Sequence, residues 1–209
     1  MRKVVIVRHE VADSNGLLTP ESHDRAYIAG VRMQEIGISP DVVISSPRPR
    51  ANQTATDHMT GAKKQVLIWG DIRLGDSLLG DNAYTAEEVT AIKELGATTK
   101  RPIETVVMTE PAYADKLTVR GIEGAQAVID GLDMYSGILG VYSHGGFRIE
   151  VAIAALAQKP IDLEHAFLPG DIAVLTFDDN HFVTTVEYLG NLGKEETQAA
   201  AAIPPPPEK

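Results

Sequence analysis

Short apolar runs alternate with longer amphipathic segments along most of this 209-residue chain. The apolar runs are rich in valine and isoleucine and are closed by polar or turn-forming residues, a pattern typical of buried β-strands. On this pattern we predict strands at residues 3–7, 42–45, 66–69 and 138–143.

Helix start and stop signals lie between these runs. Thr19 is a suitable N-cap and Pro20 a suitable first helical residue, while Thr85 and Glu88 have the spacing of a capping box. Glycines that follow the periodic segments indicate where the predicted helices end. The predicted helices run from Pro20 to about Ile36, from about Pro49 to before Gly61, from Thr85 onward, over about 112–134, and from Gly146 onward.

Strands that alternate with helices predict an α/β fold with a mainly parallel sheet and helices on both faces. Near the end, "IAVLTFDDNHFVTTVEYL" predicts two strands joined by a turn at 178–180, so we expect an antiparallel C-terminal hairpin. Residues from about 70 to 111 have fewer strand signals and are expected to form a helical cap insertion. We therefore predict one domain over 1–190 and a flexible Ala/Pro-rich tail over 191–209.

Composition limits the function classes. The longest apolar run, residues 151–157, is too short to span a bilayer, and the run after Lys3 stops too soon for a signal peptide. We expect a cytoplasmic protein without a membrane partner. A net charge of −10 argues against a nucleic-acid partner. The absence of cysteine removes disulfides, thiolate metal sites and a cysteine nucleophile. Oligomeric state is not predicted.

Basic and imidazole side chains follow three of the predicted strands. Arg8 and His9 follow the first, Arg50 follows the second, and His144 with Gly145 follows "ILGVYS". The carboxyl ends of parallel strands meet at one edge of a sheet, where open α/β folds bind ligands. The Gly145-Gly146 pair, which opens a helix, would add accessible N–H groups for an anion. The sequence therefore predicts a phosphate site at this edge.

Three segments, "VVIVRHE", "DVVISSPRPRANQTA" and "GVYSHGGFRIEV", occur in the order and at the spacing of a known family. They resemble the signature segments of the histidine phosphatase superfamily, also called phosphoglycerate mutase-like, over roughly residues 3–190. The resemblance implies that His9 is a nucleophile that becomes a phosphohistidine and that Asp76 is the proton-donating acid. It implies no metal and no cofactor. The groups that it places around the phosphoryl oxygens are Arg8, Arg50 and His144, with Asn15 at a position that often assists. Gly145 is added to the phosphate site by its backbone N–H group.

Two residues depart from the family pattern. Glu10 stands where a glycine usually follows the nucleophilic histidine, and Ser22 replaces another common glycine. Glu10 either points away from the anion site, pairs with an arginine, or serves as an alternative proton donor. Asp76 and Asn15 also have plainer interpretations, since both residue types are common in turns.

The favoured function is hydrolysis of a small-molecule phosphate monoester without a metal, with a phosphoprotein left open as substrate. A phosphomutase is the first alternative, although the mutases are generally longer and carry "GES" where this chain has "EVA". A catalytically weak module that binds a phospho-ligand is the second. The third is an α/β-hydrolase with Ser143 as nucleophile and Asp171 and His181 as partners. The physiological substrate is not predicted.

Overall fold

Six strands form one sheet in the order β3-β2-β4-β1-β5-β6. The computed structural model describes residues 1–76, 83–100, 106–107, 109–145, 148–161 and 166–194. Of the predicted tail, 191–209, residues 195–209 lie outside the described residues. The strands are β1 (Arg2–Arg8), β2 (Val42–Ser45), β3 (Ile68–Gly70), β4 (Leu139–Ser143), β5 (Ile172–Phe177) and β6 (Val183–Gly190).

The described helices begin close to the predicted start signals. Thr19 accepts a hydrogen bond from the backbone N–H of Ser22, and Thr85 forms the capping box with Glu88. A short 3₁₀ turn, Ile72–Leu74, follows β3. The α-helices are α1 (Pro20–Glu35), α2 (Pro49–Gly61), α3 (Ala86–Thr99), α4 (Pro111–Met134) and α5 (Arg148–Ala157).

The sheet is mainly parallel, as predicted. β1, β2, β3 and β4 run in one direction, with β4 between β1 and β2. β5 pairs antiparallel with both β1 and β6, which confirms the C-terminal hairpin. The carboxyl ends of β1, β2 and β4 therefore meet at one edge, and the turn between β5 and β6 lies at the opposite edge.

Each face of the sheet buries an apolar core. One core joins the sheet to α4 and α5, with Leu132, Leu139 and Leu175 almost fully buried. The other joins it to α1 and α2 through Met33 and Ala55. Because alternate strand side chains point to opposite faces, both faces of the sheet present apolar residues, and helices cover each of them.

The described part of the predicted cap is largely helical. Tyr84 and Ile92 pack with Val107 and with Leu117 of α4 in a third apolar cluster. This cluster holds the cap segment above the carboxyl edge of the sheet. None of the helices in the described ranges is both long and apolar enough to cross a membrane.

Candidate active site

One cavity of about 320 Å³ opens at the carboxyl edge of the sheet. The backbone N–H of His9 donates to the carbonyl of Ser143 at 3.0 Å, so the segment after β1 is fixed beside the end of β4. The structure brings into the wall of this cavity six residues that the sequence singled out, namely Arg8, His9, Arg50, Asp76, His144 and Gly145.

The imidazole of His9 is held at both nitrogens. Nε of Arg50 lies 3.0 Å from Nε2, and the carbonyl oxygen of Glu10 lies 2.5 Å from Nδ1. An arginine N–H can only donate, so Nε2 is the acceptor and Nδ1 carries the proton that is donated to Glu10. Burial, together with the charges of Arg50 and Arg8, lowers the pKa of His9 to about 4. The ring is therefore neutral near pH 7, with its lone pair on Nε2.

His144 lies against the nucleophile candidate. The two ring centroids are 4.8 Å apart, and Nε2 of His144 is 2.7 Å from Oγ of Ser46. Nδ1 is buried and has no hydrogen-bond partner among the described residues. Burial, with the neighbouring His9 and Arg50, places the pKa of His144 well below its ordinary value. His144 is thus a second neutral imidazole with an unused polar atom.

The carboxylate of Asp76 bridges two arginines. Nη2 of Arg50 donates to Oδ2 at 2.9 Å, and Nη2 of Arg48 donates to Oδ1 at 3.0 Å. Sequence reasoning missed Arg48, although it stands two residues before Arg50 in "SSPRPR". Arg48 is the N-cap of α2, and only Pro49 separates it from Arg50 along the chain.

Arg8 and Gly145 meet in the cavity wall. Arg8 donates to the carbonyl oxygen of Phe167, and its guanidinium group packs directly on the backbone of Gly145. A Cβ at position 145 would collide with that group, so any other residue there would displace the guanidinium group from its present position. Gly146, the other member of the predicted pair, lies outside the described residues.

Glu10 points away from the cavity. Its carboxylate is 1% exposed and accepts from Nε and Nη2 of Arg25 at 3.2 and 3.1 Å, and from Nδ2 of Asn191 at 2.7 Å. Arg25 also donates to Oγ of Ser22 at 2.9 Å. Both departures from the family pattern therefore meet in one buried network, and that network anchors the residue whose carbonyl holds Nδ1 of His9.

Three further predicted residues lie elsewhere. Asn15 occupies an exposed turn in which its backbone and side-chain amides donate to Asp13, and it is not part of the cavity wall. Ser143 is buried, and its hydroxyl donates to the carbonyl of Leu74 at 2.9 Å. His181 lies in the β5–β6 turn, at the opposite edge of the sheet from Ser143, so these two residues do not form a catalytic pair.

Buried arginines hold the loop that carries Asp76. Arg120 of α4 donates to the carbonyl oxygen of Asp76, and Arg148 donates to the carbonyl oxygens of Asp76 and Arg73. Sequence reasoning missed both arginines, although Arg148 stands inside the quoted segment "GVYSHGGFRIEV". Arg120 lies in none of the quoted segments. Both arginines enter the cavity wall only because α4 and α5 pack side by side.

Comparison with solved structures identifies the fold. YhfR of Bacillus stearothermophilus has a TM-score of 0.66 at 18% identity, with 88% of this chain and 95% of that chain covered. A mycobacterial glucosyl-3-phosphoglycerate phosphatase has a TM-score of 0.63 at 18% identity, with 91% and 99% covered. The alpha-ribazole phosphatase of Shigella flexneri has a TM-score of 0.63 at 17% identity, with 91% and 96% covered. No protein-family model matches the sequence, and neither does any curated protein.

The chain therefore has the same fold as these solved structures, a phosphoglycerate mutase-like fold. The expectation from the three sequence segments is confirmed at the level of fold. Since fold alone does not define activity, function has to be argued from the cavity.

Proposed function

We propose that this protein is a phosphate monoester hydrolase that acts through a phosphohistidine on His9 and needs no metal. The observation that carries this proposal is the state of His9. Its ring is neutral, its Nδ1 proton is bound to a carbonyl, and its Nε2 lone pair lies beside Arg50 in a cavity that Arg8 and His144 also line.

In the first step, Nε2 of His9 attacks phosphorus in line with the leaving oxygen. The new P–N bond forms as the P–O bond to the organic group breaks. Negative charge spreads over the equatorial oxygens of the phosphoryl group. The guanidinium groups of Arg8 and Arg50 match pairs of such oxygens and stabilise them. His144, which lines the same cavity, supplies one further contact.

Asp76 moves the protons in this mechanism. Without substrate, its carboxylate is paired with Arg48 and Arg50. A phosphate dianion competes for those guanidinium groups and brings negative charge next to the carboxylate. Both effects favour the protonated form of Asp76. Protonated Asp76 donates to the departing alkoxide. As a carboxylate again, it accepts a proton from the water that cleaves the P–N bond of the intermediate.

Structural neighbours support the choice of reaction class. The mycobacterial and Shigella proteins are named phosphatases, and the mycobacterial one has also been solved with inorganic phosphate. We place the proposed enzyme in the cytoplasm with a small phosphate ester as substrate.

The test is a hydrolysis screen over aryl, sugar and glycerol phosphates with a chelator present, run beside the His9→Ala variant. The proposal expects inorganic phosphate to be released by the parent protein and not by the variant. Activity that requires added metal, or that survives in His9→Ala, would refute it. Phosphoryl transfer to a second ester instead of water would assign the protein to the mutases.

A further inference from the structure

The cavity contains two arginines that the proposed chemistry at phosphorus does not use. Arg120 and Arg148 are 1% and 5% exposed. They lie close together, because both donate to the carbonyl oxygen of Asp76. Both line the same cavity as His9. Two positive charges are therefore buried side by side next to the proposed phosphate site.

No described carboxylate lies within ion-pair distance of either guanidinium group. Among the described residues, both guanidinium groups donate to backbone carbonyls, namely those of Arg73, Gly75 and Asp76. Nη1 of Arg120 is buried without a hydrogen-bond partner among the described residues. Burial and repulsion from Arg120 lower the pKa of Arg148 to about 9. Glu123 and Asp76 attract the pair only from beyond ion-pair distance, and the direct partners are backbone oxygens. The pair is thus short of a direct counter-ion, and buried charge without one is costly.

Apart from Lys93, the rest of the cavity wall on this side is largely apolar. Tyr84 and Ile92 are buried, and they line the cavity together with Val89, Val107 and Leu117. The hydroxyl of Tyr84 is already committed, since it donates to the carbonyl of Tyr113 at 2.7 Å. The cavity thus suits a ligand whose apolar middle part lies against this wall, between the proposed phosphate site and the arginine pair.

We infer that the substrate carries, besides the phosphate that His9 attacks, a second anionic group that binds Arg120 and Arg148, with an apolar body against Tyr84 and Ile92. This inference rests on the proposed function. The second group is a carboxylate or a second phosphate, since both match a guanidinium fork. Its negative charge compensates the buried arginine pair, so esters without it bind and react less well.

Aryl phosphates provide matched probes. Phenyl phosphates with a meta or para carboxylate are compared with their carboxamide analogues, which have almost the same shape and no charge. The corresponding phenylene bisphosphates separate a phosphate preference from a carboxylate preference. We expect kcat/KM to be about tenfold or more higher for the better anionic ester than for the carboxamide, in line with a charge-assisted hydrogen bond in a buried site.

Variants assign this preference to the arginines. Arg120→Gln and Arg148→Gln are each expected to reduce the anion-to-carboxamide ratio toward one. Because these arginines also hold the Asp76 loop, absolute rates fall as well, and the ratio is the informative quantity. Arg73→Gln is the matched control. Arg73 belongs to the same loop but pairs with Asp71 and Asp130 outside the cavity, so its loss should leave the ratio unchanged.

The outcomes separate this inference from the proposed function. Cleavage of all esters with equal kcat/KM would overturn the inference and leave the phosphatase intact. If no ester is cleaved, the proposed function fails, and calorimetric titration of the same probes then tests the second site by binding alone. Equal affinity for anionic and carboxamide probes, or a ratio that survives in both arginine variants, would also overturn the inference.

Discussion

Nε of Arg50 donates a hydrogen bond to Nε2 of His9 at 3.0 Å. This contact sets the tautomer of the ring, because a guanidinium N–H cannot accept. It also places the group that is proposed to bind the phosphoryl oxygens beside the atom that is proposed to attack phosphorus. Arg50 also donates to Asp76 at 2.9 Å, so one side chain connects the proposed nucleophile with the proposed proton donor.

Arg50→Lys keeps a positive charge but loses the planar fork that reaches both neighbours. We expect kcat/KM to fall by a factor that corresponds to about 2–4 kcal/mol, the usual effect of losing one preorganised donor. Steady-state kinetics with p-nitrophenyl phosphate measure it. Arg32→Lys, on α1 outside the cavity wall, is the control and should react like the parent. Unimpaired Arg50→Lys kinetics would exclude Arg50 from the site.

Asp76→Asn tests the proton donor. An alkoxide that leaves without a proton is high in energy, whereas nitrophenolate disperses its own charge. We therefore expect hydrolysis of alkyl phosphates to slow by about 100-fold or more, and far more than that of p-nitrophenyl phosphate. Comparison of kcat/KM for the two ester classes gives the answer. A small and equal effect on both would make Asp76 a structural residue.

Glu10→Gln should behave differently, since Glu10 faces Arg25 and Asn191 rather than the cavity. Loss of the carboxylate leaves the Arg25 guanidinium without its counter-charge, and we expect the free energy of unfolding to fall by about 2 kcal/mol. Urea denaturation measures that loss. Activity should change by the same factor for alkyl and aryl esters. A selective loss with alkyl esters would show that Glu10 is the proton donor.

Stability should depend on pH through buried histidines. Burial lowers the pKa of His9 to about 4 and that of His58 to about 3, and it places the pKa of His144 well below its ordinary value. Below an unfolded-state pKa near 6.5, the unfolded chain binds more protons than the folded one. The free energy of unfolding is thus unaffected by these histidines above that pH. It declines as pH falls toward 4, by about 1.4 kcal/mol per pH unit for each histidine.

His58→Asn isolates one of these groups, because His58 is fully buried against Tyr142 and lies outside the cavity wall. The urea unfolding free energy of this variant should depend less steeply on pH between about 6.5 and 4 than that of the parent. Identical slopes would mean that His58 is not kept neutral by the fold.

The fold was predictable because strand and helix signals are local. β2 has the predicted bounds, whereas the predicted strand at 66–69 forms at Ile68–Gly70. β3 is an edge strand, and its extent follows from pairing with Val43 to Ser45, which no local pattern specifies. The grouping of His9, Arg50 and His144 was predictable for a topological reason, since the carboxyl ends of parallel strands share one edge.

Other parts of the site depend on contacts distant in sequence. Glu10 meets Asn191, which lies 181 residues further along the chain, so its orientation could not be read from the motif. Arg120 and Arg148 reach the cavity through the packing of α4 on α5. Arg48 stood inside a quoted motif, yet nothing in the sequence indicated that it shares a carboxylate with Arg50.

The most direct test of the proposed chemistry is rapid quench of the protein with a substrate labelled in its phosphate. Nε2 of His9 should carry the phosphoryl group during turnover, so label should be found on the peptide that contains His9, stable to base and labile to acid. The Asp76→Asn variant should accumulate more of it, since the same carboxylate activates water in the second step. Label on a serine, or an active protein that yields no labelled peptide under rapid quench, would contradict the phosphohistidine mechanism.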